Sequence, residues 1–161
     1  MLSKLMRTGL RWLWLAVIVL ALDRFSKLMA LHFLTEYEPL RITSFFNLTL
    51  AYNKGAAFSF LGYASGWQVW LFGLLAIVVS GVLLEWLRRL SYQNRLVSVA
   101  LSLVIGGALG NLWDRIYYGK VIDLIQLHIA NFYWPVFNVA DSAICVGAFL
   151  LIWDAFRNRK K

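Results

Sequence analysis

The sequence is poor in charged residues, proline and cysteine. Charged side chains make up 15% of its 161 residues, against about 25% in an ordinary soluble domain. A single cysteine forms no internal disulfide, which excludes a disulfide-rich scaffold, and a hydrophobic content of 61% excludes a disordered chain. The eleven glycines show no triplet period, so a collagen-like fibre is excluded as well. The class of protein that fits this composition is a membrane protein.

Three apolar runs are each long enough to cross a bilayer as a helix, which takes about 20 residues. A further run ends at Asp23, but apolar residues return through Phe33, so it is expected to form one helix as well. Helices are expected because backbone groups in lipid must be hydrogen-bonded within their own segment. We predict spans over residues 12–33, 67–87, 96–113 and 134–153. No repeat or linker divides the chain, so residues 1–161 are predicted to form a single domain, an all-α four-helix transmembrane bundle.

Basic residues are distributed unevenly among the segments between these spans. Ten of them precede the first span, separate the second from the third, or follow the fourth: Lys4, Arg7, Arg11, Arg88, Arg89, Arg95, Arg157, Arg159, Lys160 and Lys161. The positive-inside rule therefore predicts that both termini are cytoplasmic and that connections 34–66 and 114–133 are extracytoplasmic. Contact with the bilayer explains the net charge of +8 more simply than nucleic-acid binding, so no nucleic-acid partner is expected.

The first extracytoplasmic connection contains a strand pattern. Phe46, Leu48, Leu50 and Tyr52 alternate with polar or small residues, which predicts a short β-sheet with one apolar face, resting at the bilayer surface. Connection 114–133 is apolar too, and we predict that it forms a loop or short helix dipping toward the membrane.

Ionisable residues within or beside the spans are the candidate functional positions, since each costs at least ~2.5 kcal/mol at the bilayer centre unless it is paired or hydrated. Asp23 and Lys27 are four residues apart and can form a structural ion pair within the first helix. Asn111, Asp114 and Arg115 share one face at the outer end of the third helix, where they can hydrogen-bond to one another. Gly106 and Gly110, four residues apart in the third span, indicate close helix packing.

Asp141 has no lysine or arginine within a helical turn. The predicted span places it about seven residues inside the fourth helix, with Asn138 one turn earlier on the same face. The nearest unassigned external acid is Asp123, in the connection before that helix. Two carboxyl groups in a partly dry site share one proton near neutral pH, which suits them to activate water. From the residues alone, a water-activating pair is one of four open interpretations; the others are proton-coupled transport, a buried structural carboxylate and a lipid-headgroup contact.

No metal or cofactor site is predicted. His32 and His128 are isolated in the sequence, and a single cysteine cannot complete a zinc site with them.

Five short motifs resemble those of the lipoprotein signal peptidases, also called signal peptidase II, of bacterial inner membranes. In order along the chain, they are D-x-x-x-K at 23–27, N-x-G-x-A-F at 53–58, G-N-x-x-D-R at 110–115, V-x-D at 121–123 and F-N-x-A-D at 137–141. Each motif alone is weak, but their order and their placement on a four-span chain of this length are specific.

The resemblance implies an aspartyl endopeptidase of the inner membrane that removes the signal peptide of a prolipoprotein immediately before a diacylglyceryl-modified cysteine. Asp123 and Asp141 would be the catalytic pair, and Asp23 and Lys27 would support the structure. The residues expected to bind substrate or shape the site are Asn53, Gly55, Asn111, Asp114, Arg115, Asn138 and Ala140. The enzyme would act as a monomer near the periplasmic face, would need no cofactor, and would be inhibited by the cyclic lipopeptide globomycin. A small proton-coupled transporter and a membrane assembly factor without activity are the alternative functions.

Overall fold

A computed structural model describes residues 7–55 and 66–158. These residues contain four long helices and four short strands. The helices are α1 (Leu13–Phe33), preceded by a 3₁₀ turn at Gly9–Trp12, α2 (Trp67–Arg89), α3 (Arg95–Tyr118) and α4 (Val139–Asn158). The strands are β1 (Leu40–Arg41), β2 (Phe46–Asn53), β3 (Val121–Ile129) and β4 (Phe132–Tyr133).

Three of the helices, α2, α3 and α4, are long and apolar enough to cross a membrane by length and composition. Helix α1 has 21 residues but carries three charged residues near its middle. Two of these, Asp23 and Lys27, are buried inside the protein, whereas Val17, Leu22 and Phe25 are exposed. An apolar outer surface around a polar interior is typical of membrane helices, and the crossing by α1 stays a prediction.

Three predicted helix ends were wrong, and one of them is the end of α4, which lies at Asn158 instead of 153. Helix α3 continues to Tyr118, where Gly119 adopts a left-handed conformation with φ of +66° and ends it. Asp114 and Arg115 therefore belong to the helix and not to the connection after it. Helix α4 begins at Val139 instead of 134, because the preceding segment is extended and Phe137 pairs with Ile125 of β3.

Helix α3 lies at the centre and packs against the three other helices. Its glycines permit this close approach: a Cβ on Gly106 would lie 2.8 Å from the carbonyl oxygen of Ala16, and one on Gly107 would lie 2.3 Å from that of Ala140. The packing role predicted for the glycine pair is confirmed at Gly106 and also at Gly110, whose added Cβ would lie 2.7 Å from Asp23 Oδ2. The backbone at the start of α4 is thus held directly against α3.

The strands form one antiparallel sheet in the order β1-β2-β3-β4. The predicted strand at 46–52 is confirmed, but its apolar side chains pack within the protein, where Leu48 and Leu50 join Ala30 of α1 and Ile122 of β3. The prediction of a loop or short helix over 114–133 was wrong, since β3 and β4 lie there. Residues 121–124 are all buried, and burial on both faces gives an apolar stretch, interrupted by Asp123, without the alternation that marks a half-exposed strand.

Candidate active site

The two aspartates predicted to act together lie at one site. Asp123 is the third residue of β3 and Asp141 is the third residue of α4. Asn138 connects them: its side-chain amide donates to Asp123 Oδ1 over 2.7 Å, and its backbone N–H donates to Asp141 Oδ2 over 3.3 Å.

Asn138 also caps the N-terminus of α4. Its Oδ1 accepts a hydrogen bond of 2.8 Å from the backbone N–H of Asp141, while the Asp141 carboxylate bonds back to the backbone N–H of Asn138. This reciprocal pairing is an Asn/Asp version of the capping box. Asp141 therefore lies in the first turn of α4, and the prediction that it lies about seven residues inside the helix was wrong. The same contacts that start the helix orient its carboxylate.

Burial dominates the electrostatics of Asp123, whose side chain is almost completely enclosed. Loss of hydration, followed by repulsion from Asp141, raises the pKa of Asp123 from 3.8 to about 8. The charge of Lys27 and hydrogen bonds from Asn138 and Asn53 act in the opposite direction but do not cancel the effect of burial. At neutral pH, Asp123 is therefore a protonated acid that can donate a hydrogen bond.

A second asparagine, Asn111, hydrogen-bonds to Asp141. The Nδ2 of Asn111, on α3, donates to Asp141 Oδ1 over 2.8 Å. The Oδ1 of Asn111 accepts from Lys27 Nζ over 3.2 Å and from Asn138 Nδ2 over 3.1 Å. Asn111 and Asn138 thus form one hydrogen-bonded network with the two aspartates.

Beneath this network lies a buried ionic cluster that joins α1 to α3. Lys27 Nζ lies 2.7 Å from Asp23 Oδ2 and 2.8 Å from Asp114 Oδ2, and all three side chains are fully buried. Arg24 pairs with the other oxygen of Asp114. The cluster extends to the rest of the site because Asp23 Oδ1 accepts from the N–H of Ala140 over 3.0 Å, and Asp114 Oδ2 accepts from the N–H of Ile122 over 3.1 Å.

The remaining predicted residues hold the turn after β2 beside the aspartates. Arg115 donates from Nη2 to the carbonyl oxygen of Gly55 over 3.0 Å and from Nη1 to that of Asn111 over 3.2 Å. Within the turn, Asn53 Oδ1 accepts from the N–H of Gly55 over 2.8 Å. The rest of that motif, Ala56, Ala57 and Phe58, lies outside the described residues.

Sequence reasoning missed Arg24, although a third charge within an apolar span was a usable signal. It also missed the two openings at the site. An apolar groove of about 250 Å³ separates α2 from α4, is lined by Phe72, Ala108 and Ile144, and reaches Asp141. A larger cavity of about 730 Å³ reaches Asp123 and includes polar residues of the sheet and loops: Glu36, Thr49, Lys54, Lys120 and Gln126. Asn53 lines both openings, so the aspartates lie where the apolar groove meets the polar cavity.

Long apolar helices around a buried polar site define a helical membrane protein, and its fold is one already observed in bacterial membrane enzymes. One such enzyme, solved by the in meso method at 2.3 Å, superposes with a TM-score of 0.83 at 29% identity, over 92% of this chain and 89% of the other. A second, solved at 1.9 Å, gives 0.80 at 30% identity, over 90% and 92% of the two chains.

The sequence narrows this class to one family. The family described as Signal peptidase (SPase) II matches residues 15–157. The lipoprotein signal peptidase of Pseudoalteromonas atlantica is 52% identical over 159 residues, which cover 99% of this chain and 97% of the relative. That of Pseudomonas putida is 53% identical over 153 residues, covering 94% and 90%. The chain belongs to the signal peptidase II family and is a membrane peptidase.

Proposed function

We propose that this peptidase is an aspartyl endopeptidase that removes the signal peptide from diacylglyceryl-modified prolipoproteins, cutting immediately before the lipidated cysteine. The observation that carries the proposal is the convergence of Asp123 and Asp141 on Asn138 where an apolar groove meets a polar cavity. Family membership supports the substrate class, because the similar proteins named above are lipoprotein signal peptidases.

The two aspartates divide the chemistry. Asp123 carries the proton, consistent with its pKa of about 8, and donates it to the carbonyl oxygen of the scissile amide. Asp141 is the base, since two N–H groups donate to its oxygens and the first turn of a helix favours a negative charge. Asp141 removes a proton from a water molecule as that water attacks the carbonyl carbon. The tetrahedral intermediate then breaks its C–N bond: the leaving nitrogen takes the proton from Asp141, and the oxygen that re-forms the carbonyl returns its proton to Asp123.

The two openings match the two halves of such a substrate. The apolar groove between α2 and α4 is open along helices that suit a bilayer, so the apolar signal peptide and the acyl chains of the lipidated cysteine can enter from the lipid. The polar cavity on the Asp123 side receives the hydrophilic polypeptide that follows the cleaved bond.

The same proposal includes an orientation in the bacterial inner membrane. Arg88 and Arg89 end α2 and Arg95 begins α3, whereas Asn111 and Asp114 lie near the opposite end of α3. By the positive-inside rule, the arginines and both termini are cytoplasmic, and the aspartate site lies near the periplasmic face. The enzyme works there as a monomer without a cofactor.

The test is cleavage of a defined substrate by the purified protein in lipid nanodiscs. A prolipoprotein carrying diacylglyceryl-cysteine should release its signal peptide, and mass spectrometry should find the lipidated cysteine at the new N-terminus. The same precursor without the lipid is the substrate control. Asp154→Asn, at the other end of α4, is the matched protein control and should retain activity, because Asp154 pairs only with surface groups, Arg157 and Asn158, among the described residues. Folded protein that leaves the lipidated precursor intact would refute the proposal.

A further inference from the structure

Lys27 is fully buried, and its ammonium group has three oxygen neighbours within the protein. Its ammonium group has three donors and no acceptor, and it contacts three oxygens: Asp23 Oδ2 at 2.7 Å, Asp114 Oδ2 at 2.8 Å and Asn111 Oδ1 at 3.2 Å. The first two contacts form an ion cluster, as expected of a residue that only supports the structure. The third contact joins Lys27 to the site of Asp141.

The contact with Asn111 determines which end of that amide faces Asp141. A side-chain amide has an acceptor oxygen at one end and a donor NH₂ at the other. With Oδ1 held by Lys27 and Asn138, the Nδ2 of Asn111 donates to Asp141. If the amide were rotated by 180°, two donors would face its NH₂ and its oxygen would face a carboxylate, and both contacts are unfavourable.

Without Lys27, the Asn111 oxygen would be held, among the described residues, by Asn138 alone. The Nδ2 of Asn138 also donates to Asp123 Oδ1 and to the carbonyl oxygen of Ile122, so it is shared among three acceptors. Of these two donors to Asn111 Oδ1, Lys27 is the one that cannot reverse its polarity, because an ammonium group accepts no hydrogen bond.

We propose that Lys27 is a positioning residue for the proposed reaction: through its bond to Asn111 Oδ1 it keeps the Asn111 amide donating to Asp141. Asp141 is then presented to water in one hydrogen-bonded geometry. This inference rests on the proposed function, but it assigns to Lys27 a part in turnover beyond support of the fold.

Arg24 provides a matched control for a purely structural role. It lies on the same helix and pairs with the same Asp114, and its other hydrogen bond goes to Tyr118. Among the described residues it makes no hydrogen bond to Asn111. Arg24→Met should therefore weaken the ionic cluster without releasing the Asn111 amide.

A double-mutant cycle on kcat separates the two roles. Lys27→Met should lower kcat about tenfold or more with KM within about twofold, because a hydrogen bond to a charged group is lost at the site. In an Asn111→Ala background, the same substitution should change kcat by less than about twofold, since there is no amide left to orient. Arg24→Met should change kcat by the same factor in both backgrounds. Equal factors for Lys27→Met in both backgrounds would overturn the inference.

Lys27→Met leaves two buried carboxylates facing one cation, so a charge-balanced version guards against misfolding. Asp23→Asn with Lys27→Met retains the pair of Arg24 and Asp114, and its kcat is compared with that of Asp23→Asn alone. The same non-additivity with Asn111→Ala is expected, and its absence would again refute the inference.

A spectroscopic readout makes the test independent of turnover. In protein labelled with ¹⁵N-asparagine, the side-chain NH₂ of Asn111, assigned by its loss in Asn111→Ala, should carry one proton shifted downfield by its bond to Asp141. The charge-balanced Lys27 variant should lose this shift, and Arg24→Met should keep it. An unchanged resonance in the Lys27 variant would overturn the inference even if the wild-type protein proved unable to cleave lipoproteins. If the wild-type protein cleaves lipoproteins but the effects of Lys27→Met and Asn111→Ala on kcat are additive, the inference is refuted and the proposed function stands.

Discussion

The buried ionic cluster predicts a large stability loss from a nearly isosteric change, Asp23→Asn. The Asp23 side chain is fully buried and, within the described ranges, has two partners: Lys27 at 2.7 Å and the backbone N–H of Ala140 at 3.0 Å. The cluster of Asp23, Asp114, Lys27 and Arg24 is electrically balanced. Replacing Asp23 with a neutral amide leaves two cations against one anion in a buried site.

Removal of one partner of a buried ion pair costs about 3–5 kcal/mol, because the remaining charge stays desolvated. Each kcal/mol lowers Tm by about 2–4 °C in a domain of 150–250 residues, so a decrease on the order of 10 °C is expected. The proposed machinery at Asp141 should be less affected, because Lys27 keeps its contacts with Asp114 and Asn111.

The assay is thermal unfolding in detergent micelles, followed by cleavage rates normalised to the folded fraction. Glu85→Gln is the control, because Glu85 also pairs with two basic residues, Arg88 and Arg89, but on an exposed surface. It should change Tm very little. An Asp23→Asn protein with unchanged Tm but no activity per folded molecule would contradict this reasoning and would make Asp23 part of the chemistry.

Four further predictions concern packing, the pH dependence of activity, the pH dependence of stability, and inhibition. Gly107→Ala should lower the free energy of unfolding by about 1–3 kcal/mol and reduce cleavage, since its Cβ would lie 2.3 Å from the Ala140 carbonyl oxygen. Gly81→Ala is the control and should be tolerated, because its Cβ would enter open space. Equal unfolding temperatures for the two variants would refute this prediction. The pKa of about 8 for Asp123 predicts that kcat/KM falls as pH rises through 8. A kcat/KM that stays constant up to pH 10 would show that protonated Asp123 is not the catalytic acid. Because this folded-state pKa lies above the unfolded value, the folded protein binds the extra proton, and stability should decline between about pH 4 and 8; Asp123→Asn should remove that decline, measured as Tm against pH. Globomycin should inhibit cleavage, and an insensitive assay would count against the assignment.

The helices and the first long strand could be predicted from the sequence because their patterns are local. Apolar length identified α2, α3 and α4, and alternation identified β2. The start of α4 could not be found this way. Apolar residues continue on both sides of Asn138, and the boundary depends on a cap and on the pairing of Phe137 with β3, which is a contact across the fold.

The pairing of Asp123 with Asp141 was predicted from the absence of any nearby basic partner, and the structure brings the two together at Asn138. The hydrogen-bond direction through Asn111 could not be predicted, because it depends on the three-dimensional meeting of Lys27 and Asn138 at one oxygen. Arg24 and the groove between α2 and α4 likewise follow from packing around α3 and not from spacing along the chain.

The most direct test of the account is the cleavage rate of Asp123→Asn and Asp141→Asn, each measured on a lipidated prolipoprotein with protein of confirmed folding. Each variant should lose at least ~100-fold in kcat, because a positioned acid or base contributes that much or more, while Asp154→Asn retains its rate. If either variant retained most of its activity, the two aspartates would not be the reacting pair.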